Sequence, residues 1–126
     1  MVVVDTNIII DHIRLSKRSD SRFVKIVKAN PEETFALSII SIQELYTGQS
    51  SREPRKEQDM LNLINALQIL PYTYETAQLA GEIARDNKSL ASFADSGIAA
   101  TAIINAASLL TLNKKDFSGI KNLELI

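Results

Sequence analysis

The chain has 126 residues, of which 45% are hydrophobic and 23% charged, with no cysteine, no tryptophan and one histidine. This length predicts a single domain, residues 1–126, that can bury a core without cross-links. The lack of cysteine excludes disulfides, thiolate nucleophiles and cysteine-held zinc, and it favours a cytoplasmic location. Because His12 is the only imidazole, mechanisms that need two histidines within one chain are excluded. No apolar run approaches the length of a membrane span, and we expect neither a signal peptide nor a membrane partner.

Short runs rich in Val, Ile and Leu alternate with longer segments of helical period, which is typical of a parallel sheet covered by helices. The predicted fold class is therefore α/β, with three layers and a central parallel sheet of four to five strands flanked by helices. The predicted strands are Val2–Val4, Thr34–Ile40, Gln68–Leu70, Leu109–Leu112 and a short last one at Leu123–Ile126.

The helix boundaries follow from capping residues and turn composition. The run Ser41-Ile42-Gln43-Glu44 has the Ser-x-x-Glu pattern of a capping box and predicts a helix that begins at Ser41. The polar segment 49–56 is predicted to be a turn, and Thr73 to cap a later helix. An alanine-rich helix that begins near Asp95 is expected to pack closely on the sheet.

Four acidic residues are predicted to lie at one end of this fold. Asp5 directly follows the first strand, and Glu44 lies near the start of the helix after the second. Asp95 lies near the start of the alanine-rich helix, and Asp116 comes four residues after Leu112. Because ligands in open α/β sheets bind beyond the carboxyl ends of the strands, we expect these side chains to converge there.

The repulsion among such carboxylates predicts a metal site. Two unit charges ~4 Å apart cost about 4 kcal/mol at an effective dielectric of 20, so a cluster of four needs cations or strongly raised pKa values. An all-oxygen ligand set suits Mg²⁺ or Mn²⁺. Bound at such a site, these ions activate water for hydrolysis of a phosphodiester bond.

Each acid alone also has an ordinary structural explanation. Asp5 and Asp95 are in positions where they would cap a helix, Glu44 would complete its capping box, and Asp116 would be a solvated turn acid beside two lysines. Four independent structural acids are not expected at the same end of every element, which favours the joint site.

The motifs in this order resemble the PIN-domain ribonucleases and, among them, the VapC-like toxins of type II toxin–antitoxin modules. The resemblance covers the whole chain, and it rests on Val-Asp-Thr-Asn ending at Asn7, Ile40-Ser41-Ile42-Gln43-Glu44-Leu45, Asp-x-x-Ile-Ala-Ala at 95–100 and Thr-x-Asn-x-x-Asp-Phe at 111–117. It implies a PIN-like three-layer fold, an RNA endonuclease activity that depends on a divalent metal, and inhibition by an antitoxin protein.

The resemblance also assigns roles to residues. Asp5, Glu44, Asp95 and Asp116 would be the catalytic and metal-binding quartet. Thr6 and Asn113 would support it by holding a carboxylate or a water with hydrogen bonds.

A basic segment adjoins the first helix. Residues 14–28 hold six Lys and Arg side chains against one acid, Asp20, and they include a short helix that Asp20 or Ser21 is expected to cap. Such a run is either a solvated helix face or a rim that contacts phosphates. The predicted RNA-binding rim is Arg14, Lys17, Arg18, Arg22, Lys114 and Lys115.

Two other interpretations remain open at this level. The chain could be a PIN nuclease of RNA processing outside any toxin–antitoxin pair, or a non-catalytic PIN-like binding module. An aspartyl-phosphate phosphatase would need a second acid two residues after Asp5, where this chain has Asn7. The apolar stripe of Leu61, Ile64 and Leu67 is either core or the contact surface of a homodimer.

Overall fold

The computed structural model describes residues 1–15, 21–90 and 92–126. In chain order the elements are β1 (Val2–Val4), α1 (Thr6–Arg14), α2 (Arg22–Ala29), β2 (Phe35–Ser38), α3 (Ile39–Thr47), a 3-10 turn (Gln49–Arg52), α4 (Pro54–Asn65), β3 (Gln68–Leu70), α5 (Tyr74–Asp86), α6 (Phe93–Ile104), β4 (Ser108–Leu110) and α7 (Lys114–Phe117).

The four strands form one parallel sheet in the order β3-β2-β1-β4. β1 is central, and its three valines are buried because they face helices on both sides. Val3 points into a core shared with α5 and α6, whereas Val2 and Val4 point into a core shared with α1, α2 and α4. This arrangement confirms the predicted three-layer α/β fold.

Two strands are shorter than predicted. β2 ends at Ser38 rather than Ile40, and β4 spans Ser108–Leu110 rather than Leu109–Leu112. The predicted strand Leu123–Ile126 is reduced to one parallel bridge between Leu109 and Leu125. At the ends of β2 and β4, backbone groups bond outside the sheet ladder. The Ile40 N–H, for example, donates to the Ser38 hydroxyl.

The prediction that α3 begins with a capping box at Ser41 is wrong. The helix begins at Ile39, and the Ser38 side chain is the cap, accepting a hydrogen bond from the Ile40 N–H at 3.2 Å. Ser41 is buried within the helix and its hydroxyl lies 2.8 Å from the Thr6 hydroxyl. Glu44 is therefore not part of a cap and is available for the site.

The helices α2 and α4 confirm parts of the sequence prediction. Ser21 caps α2 by accepting a hydrogen bond from Val24 N–H at 3.1 Å. The segment predicted as a turn contains the 3-10 turn, and Pro54 begins α4. Ile64 and Leu67 are buried in the core beside α1 and α2, so the proposed homodimer stripe is largely occupied by the protein's own core.

Helix α6 packs against the centre of the sheet. Its residues Ser96 to Ala102 are all buried, and it contacts β1, β2 and β4 as well as α5. A side-chain carbon at Gly97 would clash with the end of the Ile40 side chain, so the small residue allows close approach of α3. The small side chains thus bring the first turn of α6, which contains Asp95, near the sheet end. Within the described ranges no helix is long and apolar enough to cross a membrane.

We predict that Ser38→Ala destabilises the protein by about 1–2 kcal/mol, since it removes the cap of α3 and a buried hydroxyl contact of 3.2 Å with Thr101. Urea denaturation measures this loss. The matched control is Ser118→Ala, which removes an exposed hydrogen bond to the Lys115 carbonyl and should cost less than about 0.5 kcal/mol. Equal stabilities of the two variants would contradict the assigned cap.

Candidate active site

Three of the four predicted acids line one cleft at the carboxyl end of the sheet. This acid cleft has a volume of about 320 Å³, and its walls include Asp5, Glu44, Asp95, Thr6, Asn7 and Asn113. The three acids come from the end of β1, from α3 and from the first turn of α6. Residues distant in the sequence thus meet at the edge where parallel strands end.

Asp5 is the most buried of these acids, with 3% of its surface exposed. It occupies the N-cap position of α1, but its side chain makes no capping hydrogen bond. Instead its Oδ2 accepts a hydrogen bond of 2.7 Å from the Thr111 hydroxyl, which in turn accepts one of 3.0 Å from the Asn113 N–H. This chain fixes the carboxylate against the end of β4.

Burial raises the pKa of Asp5 from 3.8 to about 6. The Thr111 hydroxyl opposes the change because it stabilises the charged form, and the negative charges of Asp95 and Glu44 raise the pKa further. Asp5 therefore lies close enough to both other acids to interact with their charges. Asp116 is not among the groups that act on Asp5.

Glu44 is held by the support residue that the sequence predicted. Its Oε1 lies 2.6 Å from the Thr6 hydroxyl oxygen, and that oxygen also lies 2.8 Å from the Ser41 hydroxyl. Because a hydroxyl carries one proton but two lone pairs, Thr6 can donate to the carboxylate and accept from Ser41. The buried Ser41 thus orients Glu44 through Thr6.

Asp116 is separate from the other three acids. It lies in α7, where its N–H bonds the Asn113 carbonyl, and it does not line the acid cleft. Asn113 precedes α7 and does line the cleft, although its side chain makes no capping bond. The structure therefore brings Asp5, Glu44 and Asp95 together with Thr6 and Asn113, and leaves Asp116 outside the cleft.

The donor chemistry of the cleft fits a hard divalent cation, since its three carboxylates and the Asn113 amide offer oxygen atoms. In the part of the chain that the structure describes, no group of three or more Asp, Glu or His side chains is arranged so that it could hold a metal ion as it stands. Asp5 and Glu44 are directed instead by hydrogen bonds to Thr111 and Thr6.

The predicted basic rim is divided over two places. Arg14 lies at the exposed end of α1 and lines a depression that also includes Glu44. Arg22 and Lys114 line a different depression, beyond Thr111, and Lys115 is exposed beside it in sequence. Lys17 and Arg18 lie outside the described residues.

Three residues of the site were not assigned a role from the sequence. Thr111 positions Asp5 and Ser41 contacts Thr6, and both are buried polar side chains. Each lies within one of the motifs that carry the family resemblance, so the sequence marked its position. Its role was not predictable, because the hydrogen-bond partner of a buried hydroxyl is determined by tertiary packing. Asn7 is a third: its Oδ1 accepts a hydrogen bond of 3.3 Å from Leu112 N–H and so ties α1 to the end of β4.

The raised pKa of Asp5 predicts a pH-dependent stability. As the pH rises, the unfolded chain loses this proton near 3.8 and the folded chain near 6, so burial of the charge lowers the free energy of unfolding between about pH 4 and pH 6. A pKa difference of this size corresponds to about 3 kcal/mol. We expect Asp5→Asn to match the wild type near pH 4 and to be more stable at pH 7 by about 2–3 kcal/mol.

Urea denaturation in EDTA at both pH values measures the effect. The exposed Glu82→Gln should change stability little at either pH. A variant Asp5→Asn that is less stable than the wild type at pH 7 would overturn the assignment of a strained buried carboxylate.

Comparisons with known proteins agree with this fold. The PIN domain family model matches residues 2–123. The VapBC2 complex from Rickettsia felis, bound to a DNA fragment from its promoter, contains a chain with 29% identity and a TM-score of 0.80, covering 100% of this chain and 98% of that one.

A toxin–antitoxin complex from Klebsiella pneumoniae has a chain with 26% identity and a TM-score of 0.75, covering 98% of this chain and 95% of that one. VapBC-1 from nontypeable Haemophilus influenzae, at 23% identity and a TM-score of 0.77 with 100% and 97% covered, shares the fold. No curated protein sequence matches the chain closely enough to count as a relative. The predicted resemblance to VapC-like toxins is confirmed, and the chain belongs to the PIN domain family.

Proposed function

We propose that this chain is an endoribonuclease that depends on Mg²⁺ or Mn²⁺ and acts as the toxin of a toxin–antitoxin pair. The observation that carries the proposal is the convergence of Asp5, Glu44 and Asp95 in one cleft at the carboxyl end of the sheet. Membership of the PIN family supports it, because PIN domains are generally nucleases and the acid cleft offers carboxylate and amide oxygens.

The three carboxylates of the acid cleft would hold the ion, with Asn113 as a further oxygen donor. A divalent ion bound there supplies a Lewis acid that favours ionisation of water and neutralises charge on a phosphoryl group. Asp116 remains a prediction for a fourth ligand. It lies in α7, three residues beyond Asn113, and does not line the acid cleft.

The chain's own residues orient the reaction. Thr111 directs the Asp5 carboxylate, and Thr6 directs that of Glu44, so both acids face the cleft in fixed positions. A carboxylate that accepts a hydrogen bond from the attacking water would align it with the phosphorus, opposite the leaving 3′ oxygen. The products are then a 5′-phosphate and a 3′-hydroxyl.

Covalent catalysis by a cysteine thiolate and acid–base catalysis by a histidine are not supported by the residues around this cleft. The chain has no cysteine. The Nδ1 of His12 lies 2.8 Å from the Ser21 hydroxyl, and its ring packs edge-on against Phe23. This imidazole therefore contributes to the packing of α1 on α2, and it does not line the acid cleft.

An antitoxin partner is part of the proposal because similar chains occur in complexes described as VapBC and toxin–antitoxin. The electrostatics of the site suggest how such a protein would act. A cluster of carboxylates without a cation is a favourable partner for an arginine side chain, which can bond an acid in a bidentate manner. Insertion of an arginine would occupy the donors needed by the ion.

We predict that Asp95→Asn lowers kcat/KM for RNA cleavage by at least about 100-fold, since loss of even an outer partner of a metal site typically costs 10–100-fold. Asp116→Asn should lower it by about 10-fold if this acid is an outer ligand. The measurement is cleavage of a labelled RNA with and without excess EDTA, with identification of the product ends.

The control is Glu82→Gln, an exposed acid of α5 that does not line the acid cleft and should leave activity unchanged. Undiminished cleavage in EDTA would refute metal dependence. Binding of RNA without cleavage in any divalent ion would instead favour a non-catalytic PIN-like module.

Expression of the chain alone is expected to arrest bacterial growth, because an unrestrained ribonuclease degrades cellular RNA. Asp5→Ala should relieve the arrest, as it removes the acid at the centre of the site. Viable counts after induction measure both outcomes, with immunoblots to confirm equal protein levels. Arrest by Asp5→Ala equal to that by the wild type would contradict a catalytic cause.

A further inference from the structure

A second depression lies on the other side of Thr111 from the acid cleft. Arg22 and Lys25 of α2 line it together with Lys114 of α7, and Ile8 and Ile26 contribute to its apolar wall. Its volume is about 250 Å³. We call it the basic groove, meaning the depression lined by Arg22, Lys25 and Lys114.

The basic groove holds uncompensated positive charge. None of the side chains that line it is acidic. Within the described ranges, none of Arg22, Lys25 and Lys114 takes part in an ion pair. Three cations around one depression repel one another and so favour an anion between them. The ligand of such a groove is therefore anionic, and its apolar wall suits a ligand that also has carbon surface.

The basic groove and the acid cleft adjoin at the end of β4. Thr111 lines the basic groove, and its hydroxyl donates to Asp5 in the acid cleft. Asn113 lines the acid cleft, and Lys114, the next residue, lines the basic groove.

We propose that the basic groove binds a phosphate of the RNA strand next to the phosphate that is cut in the acid cleft. This inference rests on the proposed ribonuclease function and adds a subsite to it. Arg22, Lys25 and Lys114 would neutralise the flanking phosphate, while the apolar wall contacts its ribose. The strand would cross from one depression to the other over Asn113 and Lys114.

This subsite would position the substrate. By fixing the neighbouring phosphate, it would limit sliding of the strand and hold the scissile bond over the carboxylates. It would also compensate the repulsion between an anionic strand and the acids, because the positive charge lies one residue along the chain from the acid cleft. Since it contacts backbone and no base, it would contribute affinity without sequence selectivity.

An acidic segment of a protein partner is the competing ligand. The observations favour RNA because residues next to each other in the chain, Asn113 and Lys114, line the two depressions, which suits one strand with a phosphate in each. An acidic peptide would have no reason to continue into a cleft lined by carboxylates.

The test measures binding of a short single-stranded RNA by fluorescence anisotropy in an Asp5→Asn background, which keeps the RNA intact. In that background we expect the double variant Arg22→Gln/Lys25→Gln to raise Kd by about tenfold. The logarithm of the association constant falls linearly with the logarithm of the salt concentration, and this slope should become shallower by about 0.7 for each lost phosphate contact. The matched control is Lys28→Gln, a cation on the same helix that does not line the groove and should leave Kd nearly unchanged.

Two results would overturn the proposal: an unchanged Kd for RNA in the double variant, or an equal loss of RNA affinity in Lys28→Gln. Polyglutamate serves as a model of an acidic protein segment. If the double variant keeps its RNA affinity but loses binding to polyglutamate, the groove belongs to an acidic protein segment. Because the readout is binding, it is independent of whether the wild-type chain cleaves RNA, so failure of the subsite and failure of the proposed function are distinguishable.

Discussion

The contact between Asp5 and Thr111 depends on the register of the two central strands. Val4 of β1 lies opposite Leu110 of β4, so the residues that follow, Asp5 and Thr111, leave the sheet side by side. The Asp5 N–H donates to the Leu110 carbonyl at 2.9 Å, and the Thr111 hydroxyl then reaches the Asp5 carboxylate. A slip of one residue would turn the valines of β1 to the wrong faces and separate this pair. The same register therefore determines the core and the site.

Helices α3 and α6 contribute the other two acids, Glu44 and Asp95, and the small residues of α6 allow the helices to approach closely. Gly97 and the alanines of α6 let this helix lie against β1, β2 and β4, which brings Asp95 to the end of the sheet. The hydroxyl contact between Ser38 and Thr101 joins α3 to α6 at the same level. The Thr111 hydroxyl stabilises the charged form of Asp5, but burial destabilises that form more strongly, and the pKa of Asp5 is therefore raised.

Much of this arrangement could be predicted from hydrophobic pattern alone. The strands Val2–Val4 and Gln68–Leu70 have the predicted boundaries, because each is a compact apolar run with a clear end. The start of α3 was misplaced because Ser38 and Ser41 are both suitable caps by sequence. Only packing against Thr101 and Thr6 distinguishes them. Similarly, the sequence predicted Asp116 as well as Asp95, but only Asp95 lines the acid cleft, and Asp116 stays a prediction.

The two edges of the sheet differ in how they are protected from other chains. At the β4 edge, the Leu109 N–H donates to the Glu124 carbonyl at 2.8 Å and the Ile126 N–H donates to the Leu109 carbonyl at 3.0 Å. The last residues of the described chain therefore satisfy the outer hydrogen-bonding groups of β4. Among the described residues no strand pairs with the outer side of β3, but this strand is only three residues long, and Pro71 follows it directly. Short or covered edges disfavour strand addition by another molecule, so each edge of this small sheet has its own protection.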